Sequence, residues 1–203
     1  MILALLLAAE APAMTAVDAE RAFVADALKL GQWTAFRKYA ADDAVMFVPQ
    51  QVNAQEFLKD RKDPPVSVYW WPGKSFVSCD GGYAVNTGPW VRQYGKAVGY
   101  FTTVWKRQPD GSWKWIYDGG DGLETPRAEG GDFKPTIASC NGDEHRGFIA
   151  NPPAHESVSG GKSEDNSIVW RWSVSGAGAR IFEVWLWNGR TFDKVLTDEI
   201  KAP

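Results

Sequence analysis

Basic clusters are missing from this chain. Its 203 residues carry a formal net charge of −3, and no run of Lys or Arg offers the positive face that a nucleic-acid partner needs. The apolar run Ile2–Ala9 falls far short of the ~20 residues of a spanning helix, so no integral membrane segment is expected. Histidine is scarce. His145 and His155 stand near Asp143, Glu144 and Glu156, but no H-x-x-x-H or Cys/His spacing supports a metal site, and the segment reads as a polar loop. There is no G-x-S-x-G, no phosphate loop and no Cys/His nucleophile signature, which removes those reaction classes and leaves no cofactor expected. The only two cysteines, Cys79 and Cys140, allow at most one internal disulfide. Sequence alone leaves open whether they pair or stay as two buried thiols.

Aromatic side chains are what the chain has in quantity, with 11 Trp and 10 Phe. Such residues dominate cores and ligand pockets alike, so their placement has to decide between the two. The start, "MILALLLAAEAPAM", joins a short apolar run to a small-x-small site at Ala11-Pro12-Ala13. That order resembles a secretory signal peptide, although no Lys or Arg precedes the run and Glu10 follows it. Export to a periplasmic or extracellular space is the expectation, with a cytoplasmic protein and a greasy N-terminus as the alternative.

The periodicity predicts a helix over Ala16–Leu30, with Phe23, Ala27 and Leu30 in one stripe and Val24 and Leu28 beside it. Thr15 or Asp18 can cap it, and Gly31 ends it. A second helix is expected over Gln32–Tyr39, then a strand in "AVMFVP", then a third helix capped by Asn53. After Pro65 the period changes to that of strands, separated by Pro-Gly, Asp-Gly-Gly, Tyr-Gly-Lys and Pro-Asp-Gly, which are hairpin signals. Helices followed by an antiparallel meander give an α+β layout. Residues 123–166 read as an irregular connection, and 167–203 as further strands.

The element order and the strings "YAADDAVMFVP", "VNAQEFL", "GGYAVNTGPW" and "GYFTTVWKRQPDGSWKWIYDGG" resemble the NTF2-like superfamily, in its SnoaL-like and DUF4440 branch. The resemblance covers about residues 16–122. It implies a domain over 14–122, which leaves 1–13 as the stretch that resembles a signal peptide. The implied fold is a cone of N-terminal helices packed in a curved antiparallel sheet, with a central pocket, often in a homodimer. The strands after residue 166 would be a C-terminal extension. In ketosteroid-isomerase-like members the base is an acidic residue just before the Pro of this stretch. Val48 stands there, so the resemblance does not extend to that reaction.

The last hairpin can be registered by hand around a turn at Gln108-Pro109-Asp110-Gly111. Trp105 then faces Trp115, Thr103 faces Tyr117, and Thr102 faces Asp118. Alternation puts Phe101, Thr103, Trp105, Trp113, Trp115 and Tyr117 on one face, and Tyr100, Thr102, Val104, Ile116 and Asp118 on the other. Asp118 is expected in the cone interior, with the Tyr100 hydroxyl as its partner and burial raising its pKa. The competing reading is an Asp that caps a strand end before Gly-Gly. Asp42 and Asp43 are expected to face water. Trp70 should point opposite to Tyr69 and Trp71, and Trp70, Tyr83, Trp90, Thr102, Val104 and Ile116 are the expected ligand-binding wall. The function expected is binding of a small, mostly apolar or aromatic ligand. The alternatives are a cofactor-independent isomerase, cyclase or dehydratase using Asp118 with Tyr100, and a structural or dimerisation domain.

Overall fold

A computed structural model describes residues 13–127, 133–142 and 157–203. The apolar N-terminal run and both histidines, with their acidic neighbours, lie outside the described residues.

Helix α1 spans Ala16–Leu30 and α2 spans Gln32–Tyr39. A capping box starts α1: the Asp18 N–H donates to Thr15 Oγ1 at 3.1 Å, and the Thr15 N–H donates to Asp18 Oδ2 at 3.0 Å. Its buried stripe runs Ala16, Ala19, Glu20, Phe23, Ala27, while Leu28 and Leu30 are exposed. The expected stripe was therefore rotated. The small residues let the helix lie close to the sheet, and the two leucines are left outside. Strands β1 (Ala40–Phe47) and β2 (Gln51–Asn53) lead into α3 (Ala54–Leu58), which Asn53 caps through its side chain.

Eight strands form the main sheet. Beyond β1 and β2 they are β3 (Tyr69–Trp70), β4 (Lys74–Val77), β5 (Tyr83–Arg92), β6 (Ala97–Arg107), β7 (Trp113–Leu123) and β8 (Thr136–Ile137). The order is β2-β1-β7-β6-β5-β4-β8, with β3 on β5. The β1–β7 and β4–β8 pairs are parallel and the others antiparallel. A second sheet has the order β12-β11-β10-β9, from β9 (Ser157–Lys162), β10 (Ile168–Val174), β11 (Arg180–Trp187) and β12 (Phe192–Ile200). The span expected to be irregular thus contributes both β8 and β9.

The main sheet is the middle of three layers. One face packs Phe101, Trp105, Trp113 and Trp115 against Phe23, Phe36 and Leu58 of the helices. Trp105 and Trp115 are wholly buried there, and each contributes about 1.5–3 kcal/mol or more through area removed from water. The opposite face packs Tyr83, Val85, Val104 and Tyr117 against Trp170, Trp172, Phe182 and Val184 of the second sheet. Tyr117 stacks on Phe182 with ring centroids 4.4 Å apart, and Tyr83 stacks on Trp170 at 5.4 Å. Both faces of the sheet are covered, which is why its strands lack a clean polar–apolar alternation.

Cys79 and Cys140 form a disulfide that ties the loop after β4 to the segment after β8. Among the described residues, no helix is long and apolar enough to cross a membrane.

Candidate functional site

A pocket of about 260 Å³ opens between the helices and the main sheet. Trp33, Phe36, Val68, Trp70, Trp90 and Phe101 supply much of its wall, Met46, Phe47 and Val48 another side, and Asp118 with the backbone of Gly119–Gly122 a further side. Asp42 and Asp43 stand outside it, exposed.

Asp118 reaches this pocket by a route the hand-made register missed. Trp105 does face Trp115. Beyond that pair, β7 holds one residue, Ile116, that β6 does not match, and Val104 faces Tyr117. This bulge reverses the parity of everything after it. Tyr117 turns to the second sheet, and Asp118 joins the face of Phe101, Thr103 and Trp105. Its cross-strand neighbour is Thr103, whose hydroxyl lies 3.3 Å from Asp118 Oδ2.

The same bulge corrects the list of neighbours. Tyr100 borders the pocket, but its ring lies under the Arg127 guanidinium at 3.7 Å, and its hydroxyl has no hydrogen-bond partner among the described residues. It is not the partner of Asp118. Thr102 faces the second sheet, with its hydroxyl 2.6 Å from Asp198 Oδ2. Val104 and Tyr83 pack in that same layer, and Ile116, the bulge residue, packs beside it. Of the expected wall, Trp70 and Trp90 line the pocket. Tyr69 and Trp71 lie against each other with their rings tilted by 37° and centroids 5.7 Å apart.

Sequence reading also missed Glu20. It is wholly buried at the middle of α1, on the side facing the sheet. The Trp70 indole N–H donates to Oε1 at 2.8 Å, the Trp105 indole N–H to Oε2 at 2.7 Å, and the Asn86 amide to Oε2 at 3.3 Å. The signal was present in the sequence: Glu20 falls on the stripe of Ala16, Ala19, Phe23 and Ala27, where an acid is out of place unless something satisfies it. A polar row runs from it across the sheet. Asn86 faces Thr103, Thr103 faces Asp118, and Asp118 faces Met46 on β1.

Burial raises both carboxyl groups to about 7. For Asp118 the nearby charge of Glu20 raises it further, while Thr103 and Arg180 pull it back. The two share a titration rather than acting alone. The hydrogen-bond inventory places the shared proton. Both oxygens of Glu20 are met by N–H groups, which donate and cannot accept, so they favour its ionised form against the burial that raises it. Asp118 has one long bond from Thr103 and surface open to the pocket, so the proton rests there.

No family model and no curated protein matches the chain in sequence. Three solved structures with a similar chain path are a candidate ketosteroid isomerase from Parabacteroides distasonis, an NTF2-like superfamily protein from Salmonella enterica serovar Typhimurium and the CaMKII hub of S. rosetta. The first is 18% identical over 54% of this chain and 89% of its own, with a TM-score of 0.43. The second is 14% identical over 56% and 93%, at 0.40, and the third 18% identical over 54% and 98%, at 0.38. One of the three is described as an NTF2-like superfamily protein. At these scores the likeness says nothing of activity, ligand or assembly, which have to come from the pocket itself.

Proposed function

We propose that this protein binds a small, largely apolar, ring-bearing molecule between its helices and main sheet, with Asp118 as the polar handle. The observation that carries this is the Asp118 carboxyl group set into an aromatic-walled pocket of about 260 Å³ that Asp121 and Arg92 also line. Mostly apolar walls with a few convergent polar groups are the usual make-up of a small-molecule site. The pocket is at the small end of that range, so the ligand is a compact one.

A second reading is a cofactor-independent enzyme in which Asp118 is the general acid or base. Its raised pKa of about 7 favours this, because a carboxyl that titrates near the working pH serves proton transfer best. Tyr100 has no part in that reading, and Val48, which lines the pocket, supplies no second acid there.

The Cys79–Cys140 disulfide supports export to an oxidising compartment. The second sheet covers the main sheet's outer face, which supports a role for the C-terminal strands as an extension of an NTF2-like domain.

Calorimetry with 2-phenylethanol, indole and 2-naphthol tests the binding reading, with Val48→Trp as the filled-pocket control. Binding by the native chain and its loss in the variant is the expected result. Failure of all three to bind, or equal binding to V48W, refutes the pocket as the site. Deuterium uptake from solvent into a bound cyclic ketone, lost in D118N, separates the enzyme from the binder.

A further inference from the structure

We propose that the molecule this pocket takes is an amine on a ring, bound as its ammonium ion with Asp118 as the counter-charge. This rests on the binding reading above and specifies the ligand class.

Two of the ring walls, Trp70 and Trp90, keep their donors from the pocket. The Trp70 N–H is turned away to Glu20, and the Trp90 N–H to the Tyr100 carbonyl at 3.0 Å. What faces a ligand from both is aromatic carbon surface, which attracts cations through its negative ring face. The ionisable group inside is an acceptor, Asp118, and it forms no ion pair among the described residues.

The charges around the pocket are unbalanced in the same sense. Glu20 lies behind Trp70, wholly buried, with N–H donors and, among the described residues, no cation paired with it. Arg180 of β11 approaches from the far side of β7. Its guanidinium lies 3.9 Å from the Phe47 ring centroid and bonds the Gly120 carbonyl; among the described residues it forms no ion pair, and it acts on Asp118 and Asp121 only through its longer-range charge. The lining also holds one further charge of each sign, Asp121 and Arg92, the latter with its guanidinium 5.1 Å from the Trp90 ring. Asp198 and Arg127 neutralise each other at 2.8 Å behind the sheet. Setting these against one another leaves one carboxylate in excess, on the pocket side.

That excess has two remedies. In the empty pocket a proton sits on Asp118. An ammonium ion entering the pocket supplies the same charge, and the proton of Asp118 leaves to solvent as it arrives. A neutral ring compound leaves the proton in place. The amine then gains a charge-assisted hydrogen bond and the cation–ring contact that its neutral counterpart cannot make.

Matched probes test this on the full chain: 2-phenylethylamine, its N,N,N-trimethylammonium form and 2-phenylethanol, titrated by calorimetry near pH 6 and pH 8 in buffers of different ionisation heat. The amine is expected to bind at least about tenfold tighter than the alcohol, and to release a proton on binding near pH 6. D118N should bring the amine down to the alcohol's affinity, with the alcohol unchanged and the variant's unfolding still cooperative. The trimethylammonium form should retain part of the gain, since it keeps the charge but loses the N–H donors. Equal or tighter binding of the alcohol overturns the amine assignment and leaves the binding reading standing. An amine preference that survives D118N overturns the role of Asp118. Failure of every probe, neutral and charged, overturns both readings.

Discussion

Asp118→Asn should change how stability depends on pH more than it changes stability itself. In the folded chain Asp118 titrates at about 7, against an ordinary value of 3.8. Between those values the folded state holds a proton that the unfolded chain has released. The sign follows: this carboxyl favours folding fully below pH ~4, and the contribution is lost as pH rises through ~7. Each pH unit in that window costs about 1.4 kcal/mol, so ~4 kcal/mol accumulates across it. Water in the pocket screens part of this, and about 2–4 kcal/mol is the expected size. Asn keeps the shape and cannot ionise. Urea unfolding followed by tryptophan fluorescence, from about pH 4 to pH 7.5, gives the two profiles. The stability of D118N minus that of the native chain should grow by that amount as pH rises. The subtraction removes carboxylates held low in the fold, such as Asp18 and Asp26, which both proteins share. Parallel profiles would refute the reasoning. A slope that survives D118N but vanishes in Glu20→Gln would put the proton on Glu20 and overturn the assignment made from its donors.

Glu20→Ala removes the acceptor of two buried indole N–H groups, and at about 1–3 kcal/mol for each orphan the loss should be about 2–6 kcal/mol in the same urea assay. A change under about 0.5 kcal/mol would show that the indoles find other partners. Replacing both Cys79 and Cys140 by Ser opens a link across 61 residues of sequence separation, which the loop-entropy relation sets at about 4 kcal/mol. The check is the urea midpoint with and without reductant: the native chain should fall to the level of the double variant when reduced, and the variant should not respond.

The helices were legible because they are local. Ala16–Leu30 and Gln32–Tyr39 begin and end at Thr15, Gly31 and the change of period at Ala40, all of which act within a few residues. The sheet was legible up to Trp105 and Trp115. It failed at Ile116 because a bulge leaves no mark when both faces of a strand are apolar. Trp113, Trp115 and Tyr117 alternate as perfectly as an unbroken strand would, and Tyr117 is as suited to the second sheet as it would have been to the helices. Asp118 therefore lines the pocket beside Thr103, while Thr102 and Val104, its expected neighbours on β6, face the second sheet. Glu20 was missed for a different reason. Its acceptability depends on Trp70, Asn86 and Trp105, which lie between 50 and 85 residues away. No local pattern reports such distant donors.

The second sheet sets an order of events for the growing chain. Everything needed for the helices, the pocket and strands β1–β7 has been made by Leu123, yet Tyr83, Val104 and Tyr117 have no cover until β10 and β11 exist. Asp198, near the very end of the chain, is the group that meets the buried hydroxyl of Thr102 and the guanidinium of Arg127. A chain halted after β7 would carry a finished pocket on one side and a bare aromatic sheet on the other. Strands β10 and β11 thus shield in cis an apolar surface of the kind that, left bare, draws other molecules.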